Sequence, residues 1–217
     1  MSPIKLYALR WAPHRVRGLV RDLRVRWALE EAGLPYEQHL IGPEDQMSDW
    51  YRAIQPFGQV PSYEQDGQVL FESGAIVLNI AETSAALMPR DRVGRARVTS
   101  WLFAALNSIE PHVVNLREIE LLKPPDESRR VAVISASSAR LGDLSTWLAA
   151  RDYLEARRFT AADLLMSTVL RILPDGDLGT RWPILSSYRQ RCEARPAFRK
   201  ALADHVASFD EGFGAAG

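Results

Sequence analysis

Hydrophobic and polar positions follow two different rhythms along this chain. Up to about residue 83, short apolar runs alternate with a single helical stripe. Ile4–Leu9 reads as a strand, and residues 10–18, with Pro13, Gly18 and three arginines, read as a loop. Leu19, Leu23 and Trp27 then recur every four residues, and Val25, Ala28, Leu29 and Ala32 widen that face, so the spacing predicts a helix over 19–32. Gly33 and Pro35 supply its stop signal. Tyr36–Ile41 reads as a second strand. A polar loop over 42–46 and a short helix over 47–53 follow. Two more short strands, 61–64 and 68–71, are joined at Gln65-Asp66-Gly67, a hairpin signal. A helix over 74–82 closes the segment. The first βαβ unit requires parallel strands with a right-handed crossover, and the hairpin adds an antiparallel pair, so a four-stranded mixed sheet covered by helices is expected.

Beyond residue 92 every apolar stretch repeats at helical spacing. Val98, Trp101, Leu102, Ala105, Leu106 and Ile109 share one side of a helix over 92–119 that Pro111 is expected to kink or divide. Lys123-Pro124-Pro125 breaks it. Further helices are predicted over 126–150, over 161–173 ending at Pro174-Asp175-Gly176, from Trp182-Pro183 to about 193, and over a last short stretch to 209; the FGAAG end is expected to fray. Phe159-Thr160 and Asp163-Leu164 carry the spacing of a capping box with a hydrophobic staple, a folding signal with no ligand attached to it. The small residues and Leu87-Met88-Pro89-Arg90-Asp91 between the halves read as a linker. The expected organisation is an α/β domain over 1–83, a linker over 84–92 and an all-α domain over 93–217.

Composition narrows the function classes. The 217 residues carry 27 basic and 27 acidic side chains, and this zero formal charge argues against bulk electrostatic binding of nucleic acid or of an anionic membrane. No apolar run approaches the roughly 18 residues a spanning helix needs. The start, MSPIKLYALRW, lacks a signal-peptide pattern, and a cytoplasmic protein is expected. The single cysteine, Cys192, excludes an internal disulfide framework and a cysteine-rich metal site, and the four histidines show no ligand spacing, so no metal is expected.

Candidate chemistry concentrates in residues 55–82. Glu72 and Ser73 stand at a strand-to-helix junction, where unpaired helix N–H groups make an anion site. The same pair also reads as an ordinary helix cap. Arg17, Arg21 and Arg24 form a stripe at i, i+4 and i+7, which for Arg21 and Arg24 reads as a solvated helix face paired with nearby acids.

Five segments, in order and covering nearly the whole chain, give this sequence a resemblance to the cytosolic glutathione S-transferases: RVRWALEEAGLPYE (24–37), QPFGQVPSYEQDGQVLFESGAIVLNIAE (55–82), PRDRVGRARVTSWL (89–102), RRFTAADLLMSTVLRIL (157–173) and SSYRQRCEARPAFRKALA (186–203). The resemblance implies a thioredoxin-like N-terminal domain, an all-helical C-terminal domain, glutathione as co-substrate and a homodimer. It places a cis proline at Pro61, with the backbone of Val60 open to pair with the cysteinyl unit of glutathione. Glu72 and Ser73 would take the γ-glutamyl end and Gln59 the glycyl end. Trp11, Trp101 and Asn107 would line the pocket for a small electrophile.

The match departs at the catalytic position. The serine of related sequences falls near Gly18 or Leu19, neither of which can donate to a thiolate, and the loop over 8–18 is longer than usual. Tyr7, Arg10 and Trp11 are the candidate thiolate stabilisers, with Arg15 and Arg17 as further cations of the same loop. The implied function is glutathione transfer to an electrophile. A glutathione-dependent reductase or isomerase, or a non-catalytic binding module of the same fold, are the alternatives.

Overall fold

The computed structural model describes residues 2–121, 127–173 and 175–210. The expected break at Lys123-Pro124-Pro125, Pro174 of the expected stop signal and the FGAAG end lie outside them. The chain divides into two compact units, one made of residues 1–84 and 196–217 and the other of residues 85–195. The last helix therefore packs with the N-terminal unit, whereas a boundary drawn from sequence alone left everything after 92 together.

In the first unit, β1 (Ile4–Leu9), β2 (Tyr36–Ile41), β3 (Ser62–Gln65) and β4 (Gln68–Phe71) form one sheet in the order β2-β1-β3-β4. β1 runs parallel to β2, from Ile4 opposite Tyr36 to Leu9 opposite Ile41, and antiparallel to β3, with Tyr7 opposite Ser62. The Asp66-Gly67 turn uses left-handed backbone at both residues, φ 48° and 81°, as a tight hairpin requires. This is the thioredoxin-like mixed sheet expected from the βαβ-plus-hairpin pattern.

α1 (Asp22–Ala32) starts three residues later than the periodicity suggested. Gly18, at φ 79°, and a short 3₁₀ turn over His14–Val16 occupy the approach, and Leu19 belongs to the turn rather than the helix. α1 is buried from Asp22 to Leu29, including Arg24 and Arg26. The expected loop over 42–46 and helix over 47–53 resolve into α2 (Pro43–Met47) and α3 (Asp49–Ile54). Pro43 at the first helical position and the Gly42 N–H bonded to the Asp45 carboxylate start α2. Ser48 separates the pair by accepting from the Tyr51 N–H. α4 (Ser73–Glu82) follows β4 directly. α11 (Pro196–Ala207) lies against α1 through Trp27 and Phe198, whose rings meet edge-on at 4.7 Å, and through His205 Nδ1 at 3.0 Å from Asp22 Oδ2.

The second unit is helical. α5 (Arg92–Phe103) passes through a π-helical turn (Ala104–Ile109) into α6 (Glu110–Leu121). The wide turn sits just ahead of Pro111, so the register changes before the proline and the missing N–H falls at the start of α6. α7 (Glu127–Leu148), α8 (Ala161–Leu170), α9 (Asp175–Arg181) and α10 (Pro183–Glu193) complete it. α9 is a short helix where sequence suggested only a stop. α8 is buried along its entire length. Its Asp163 carboxylate accepts from the Thr160 N–H (2.9 Å), the Thr160 hydroxyl (3.0 Å), the Leu154 N–H (2.8 Å) and the Tyr188 hydroxyl (2.9 Å). Thr160 and Asp163 thus form the expected capping box, and the Thr160 hydroxyl also donates to the Asp163 carboxylate. Among the described residues no helix is long and apolar enough to cross a membrane.

Candidate active site

The stretch over 55–61 is shaped by hydrogen bonds from beneath it. Gln55, 2% exposed, accepts the Phe57 N–H on its side chain and the Gly58 N–H on its carbonyl. Gln46 Nε2 donates to the Gly58 carbonyl (2.7 Å), and the Tyr51 hydroxyl donates to the Gln59 carbonyl (2.7 Å) while lying 2.9 Å from Ser62 Oγ. Gly58 is left-handed at φ 64°, and a Cβ there would stand 2.5 Å from the Gln46 carbonyl oxygen. Gly58→Ala should therefore cost about 2 kcal/mol of stability and weaken any ligand held by the next three residues. Denaturant titration and ligand titration of the variant check both. A variant as stable as wild type would show that the loop has another way to turn.

Those next residues are Gln59, Val60 and Pro61. The Val60–Pro61 peptide bond is cis. The Val60 side chain packs on a small cluster of Tyr7, Ile41 and Tyr51. Among the described residues no partner takes the Val60 N–H or carbonyl. A backbone N–H and carbonyl that are both open can pair with an extended peptide ligand.

At the other end of the hairpin, Glu72 turns the chain from β4 into α4 with φ 68° and ψ 115°, a strained conformation for a side chain of this size. Its carboxylate is exposed and has no partner among the described residues. Ser73, 4% exposed, opens the helix; the first intrahelical bond runs from the Ile76 N–H to the Glu72 carbonyl, so the three amides before it are available. Arg24, 3% exposed, donates from Nη1 to Ser73 Oγ at 3.2 Å. The reading of Arg24 as a solvated stripe residue is thus corrected: it stands behind the α4 N-terminus and adds positive charge where the helix dipole is already positive. Its spacing with Arg17 and Arg21 hid this, because a stripe at i, i+4, i+7 looks the same whether water or α4 faces it. Tyr51 was not singled out from sequence either; only its place ahead of the turn hinted at a role.

Tyr7, 7% exposed, donates its hydroxyl to Glu64 Oε2 at 3.0 Å. Burial, then the Glu64 hydrogen bond and charge, push its phenol up to about 12. A phenol with its proton committed to a carboxylate is a poor donor to a thiolate. Tyr7→Phe should leave turnover unchanged and cost about 1 kcal/mol of stability for the lost bond. A large fall in turnover would restore Tyr7 to the chemistry. Arg10, bonded through Nη2 to the Leu40 carbonyl, is 3.7 Å from both Glu44 and Asp45. Trp11 is half-buried, and its indole N–H has no partner among the described residues. Arg17 donates from Nε to the Ala12 carbonyl at 2.9 Å.

Glutathione S-transferase 3 of maize is 30% identical to this chain over 226 residues, which cover 94% of this chain and 95% of that protein. The chain belongs to the glutathione S-transferase family. The family model described as glutathione S-transferase, N-terminal domain, matches residues 23–86, from the second residue of α1 through the cis loop and α4. A glutathione transferase of Burkholderia graminis, solved with two glutathione molecules bound per subunit, is 25% identical and superposes over 92% of this chain and 87% of that one with a TM-score of 0.77. Poplar glutathione transferase F1 shares the fold at 23% identity and a TM-score of 0.80, over 95% of this chain and all (100%) of its own. A maleylpyruvate isomerase of Ralstonia is 38% identical over 100 residues, 44% of this chain and 46% of its own.

In this glutathione S-transferase family chain, the residues expected to receive an electrophile are distributed over both units. Trp11 belongs to the first, Trp101 and Asn107 to the second. Trp101 lines a cavity of about 910 Å³ with Trp147 and the loop over 150–157, its ring 5.3 Å from that of Trp147. Asn107 lies exposed in the π-helical turn and is not part of that cavity. Among the described residues no group of three or more His, Cys, Asp or Glu side chains could hold a metal ion.

Proposed function

We propose that this chain binds glutathione between the cis loop and the N-terminus of α4 and activates its thiol for transfer to an electrophilic small molecule. The open backbone of Val60, beside a proline held cis, is the observation that carries this reading. The cysteinyl unit pairs with it as an added strand. The α-carboxylate of the γ-glutamyl end sits on the free amides of α4 and the Ser73 hydroxyl, with Arg24 behind. Glu72 faces the ammonium, and Gln59 stands at the glycyl end.

Lowering a thiol from about 8.5 to about 6.5 takes about 2.7 kcal/mol. A helix N-terminus supplies about 0.3–1, whereas a hydrogen bond to a charged group supplies about 1.5–3. One committed donor from the loop after β1 is therefore enough. Tyr7 spends its hydroxyl hydrogen bond on Glu64, which leaves the Trp11 indole N–H and the Arg10 guanidinium as the proposed stabilisers. Trp11, Trp101 and Asn107 remain the proposed electrophile contacts. A homodimer is proposed as well: Phe57 and Phe71 stand 61% and 37% exposed with their rings 6.1 Å apart, an aromatic pair suited to burial against a second copy.

A thiolate difference spectrum of the protein with glutathione, followed by conjugation of a chlorodinitrobenzene, tests the reading. Thiolate absorbance at neutral pH and enzymatic turnover are expected; the absence of both would defeat it. The engagement of Tyr7 favours one other reading, a module that holds glutathione without activating it. Retention on immobilised glutathione with no turnover of electrophile, peroxide or disulfide would select that module.

A further inference from the structure

Two residues at the end of the described chain bear on the loop after β1. The Asp210 N–H donates to the Arg10 carbonyl at 2.8 Å, on the residue whose own N–H is bonded to the Ile41 carbonyl at 2.8 Å. Phe209, 6% exposed, lies beneath the Arg17 guanidinium at 5.3 Å, and Arg17 in turn holds the Ala12 carbonyl. The Phe209 ring also meets that of His205, edge-on at 4.9 Å and 86°. His205 is fully buried and anchored on Asp22 of α1, whose carboxylate also takes Arg26 Nε at 2.8 Å. A continuous chain of contacts thus runs from the α1 core through His205 and Phe209 to residues 10, 12 and 17.

That loop is long and carries the proposed thiolate donors, and a loop of this kind is mobile unless something ties it down. β2 holds the loop at its first residue, Arg10, through the Leu40 and Ile41 carbonyls. We propose that Phe209 and Asp210 form a positioning strap for the thiol-activating loop: they set where Arg10 and Trp11 stand and touch neither glutathione nor electrophile. The inference rests on the proposed function for its catalytic consequence, and on geometry alone for its mechanical one. Phe209 is the positioning residue; its ring supplies shape and a cation–π surface for Arg17, so tyrosine should replace it and serine should not.

The test is Phe209→Ser beside Phe209→Tyr in the full chain. Amide hydrogen exchange reads the mechanical part: residues 10–17 should exchange faster in Phe209→Ser, with residues 59–73 unchanged and Phe209→Tyr like wild type. Conjugation kinetics with glutathione and a chlorodinitrobenzene read the catalytic part: kcat should fall about tenfold, the cost of a slightly misplaced group, the thiolate titration midpoint should rise, and KM for glutathione should hold. Should Phe209→Ser not fold, Phe209→Leu, which keeps the volume and loses the cation–π face, replaces it with the same expectations. Unchanged exchange over 10–17 would overturn the strap. So would a fall in stability with kcat and the titration midpoint intact. If wild type itself gives no thiolate and no turnover, the proposed function fails while the exchange result still decides the strap.

Discussion

Asp163→Ala should destabilise the protein by at least about 4 kcal/mol, and denaturant unfolding would measure it. Four donors converge on this carboxylate from three places in the second unit: Thr160 N–H and hydroxyl, Leu154 N–H and Tyr188 hydroxyl. Thr160, Leu154 and Tyr188 are all buried, so none can turn to water when the carboxylate goes. A buried donor left alone costs roughly 1–3 kcal/mol, and whole domains have only about 5–15 to lose. Asp163→Asn should cost less, because its one oxygen still serves two of the donors. The site also has a pH signature. Burial raises the Asp163 carboxyl to about 6, although the Leu154, Tyr188 and Thr160 hydrogen bonds all pull it down. The folded state therefore keeps this proton to a higher pH than the unfolded chain, and the Asp163 contribution to stability falls as pH rises from about 4 to about 6. Asp163→Asn should remove that slope. A loss in the alanine variant below about 1 kcal/mol would show that the surrounding donors find other partners.

The second large effect is on ligand binding. Ser73→Ala should weaken glutathione by roughly 10- to 100-fold, the worth of one hydrogen bond to a charged group of about 1.5–3 kcal/mol. The hydroxyl is buried between the Arg24 guanidinium and the first free amides of α4, so it accepts from one and can donate to a carboxylate at the other. Alanine fits in its place without strain. Glu72→Ala should have a similar effect through the ammonium, since alanine accepts the same left-handed backbone no worse than glutamate does. Titration calorimetry with glutathione measures both; equal affinity in wild type and Ser73→Ala would place the carboxylate elsewhere.

Much of the fold was legible because its signals are local. Asp66-Gly67 demanded a hairpin, Gly33 and Pro35 a helix end, and the alternation of strand and helix runs a mixed sheet. The five family segments then located the loop over 59–61 and the α4 junction. What sequence hid was set by long-range packing. Arg24 and Arg26 occupy an i, i+2 pair on a helix whose register looks half-solvated, yet α4 cradles one and Asp22, with Gln38, the other. Pro43 and Asp45 turned an expected polar loop into a short helix, and the Ser48 hydroxyl set the start of the next one two residues later than expected. The π-helical turn ahead of Pro111 adds a register change that no proline rule specifies. The return of α11 to α1 depends on Asp22, nearly two hundred positions before His205, and no periodicity couples residues so far apart.

A structure determined with glutathione bound tests the central claim most directly. The cysteinyl backbone should pair with the Val60 N–H and carbonyl, the γ-glutamyl carboxylate should rest on Ser73 and the α4 amides, and the sulfur should lie within hydrogen-bond reach of a group from Arg10 or Trp11. Glutathione bound away from Val60 and Ser73 would contradict the account. So would a sulfur held by Tyr7 or by any residue outside the loop over 10–17.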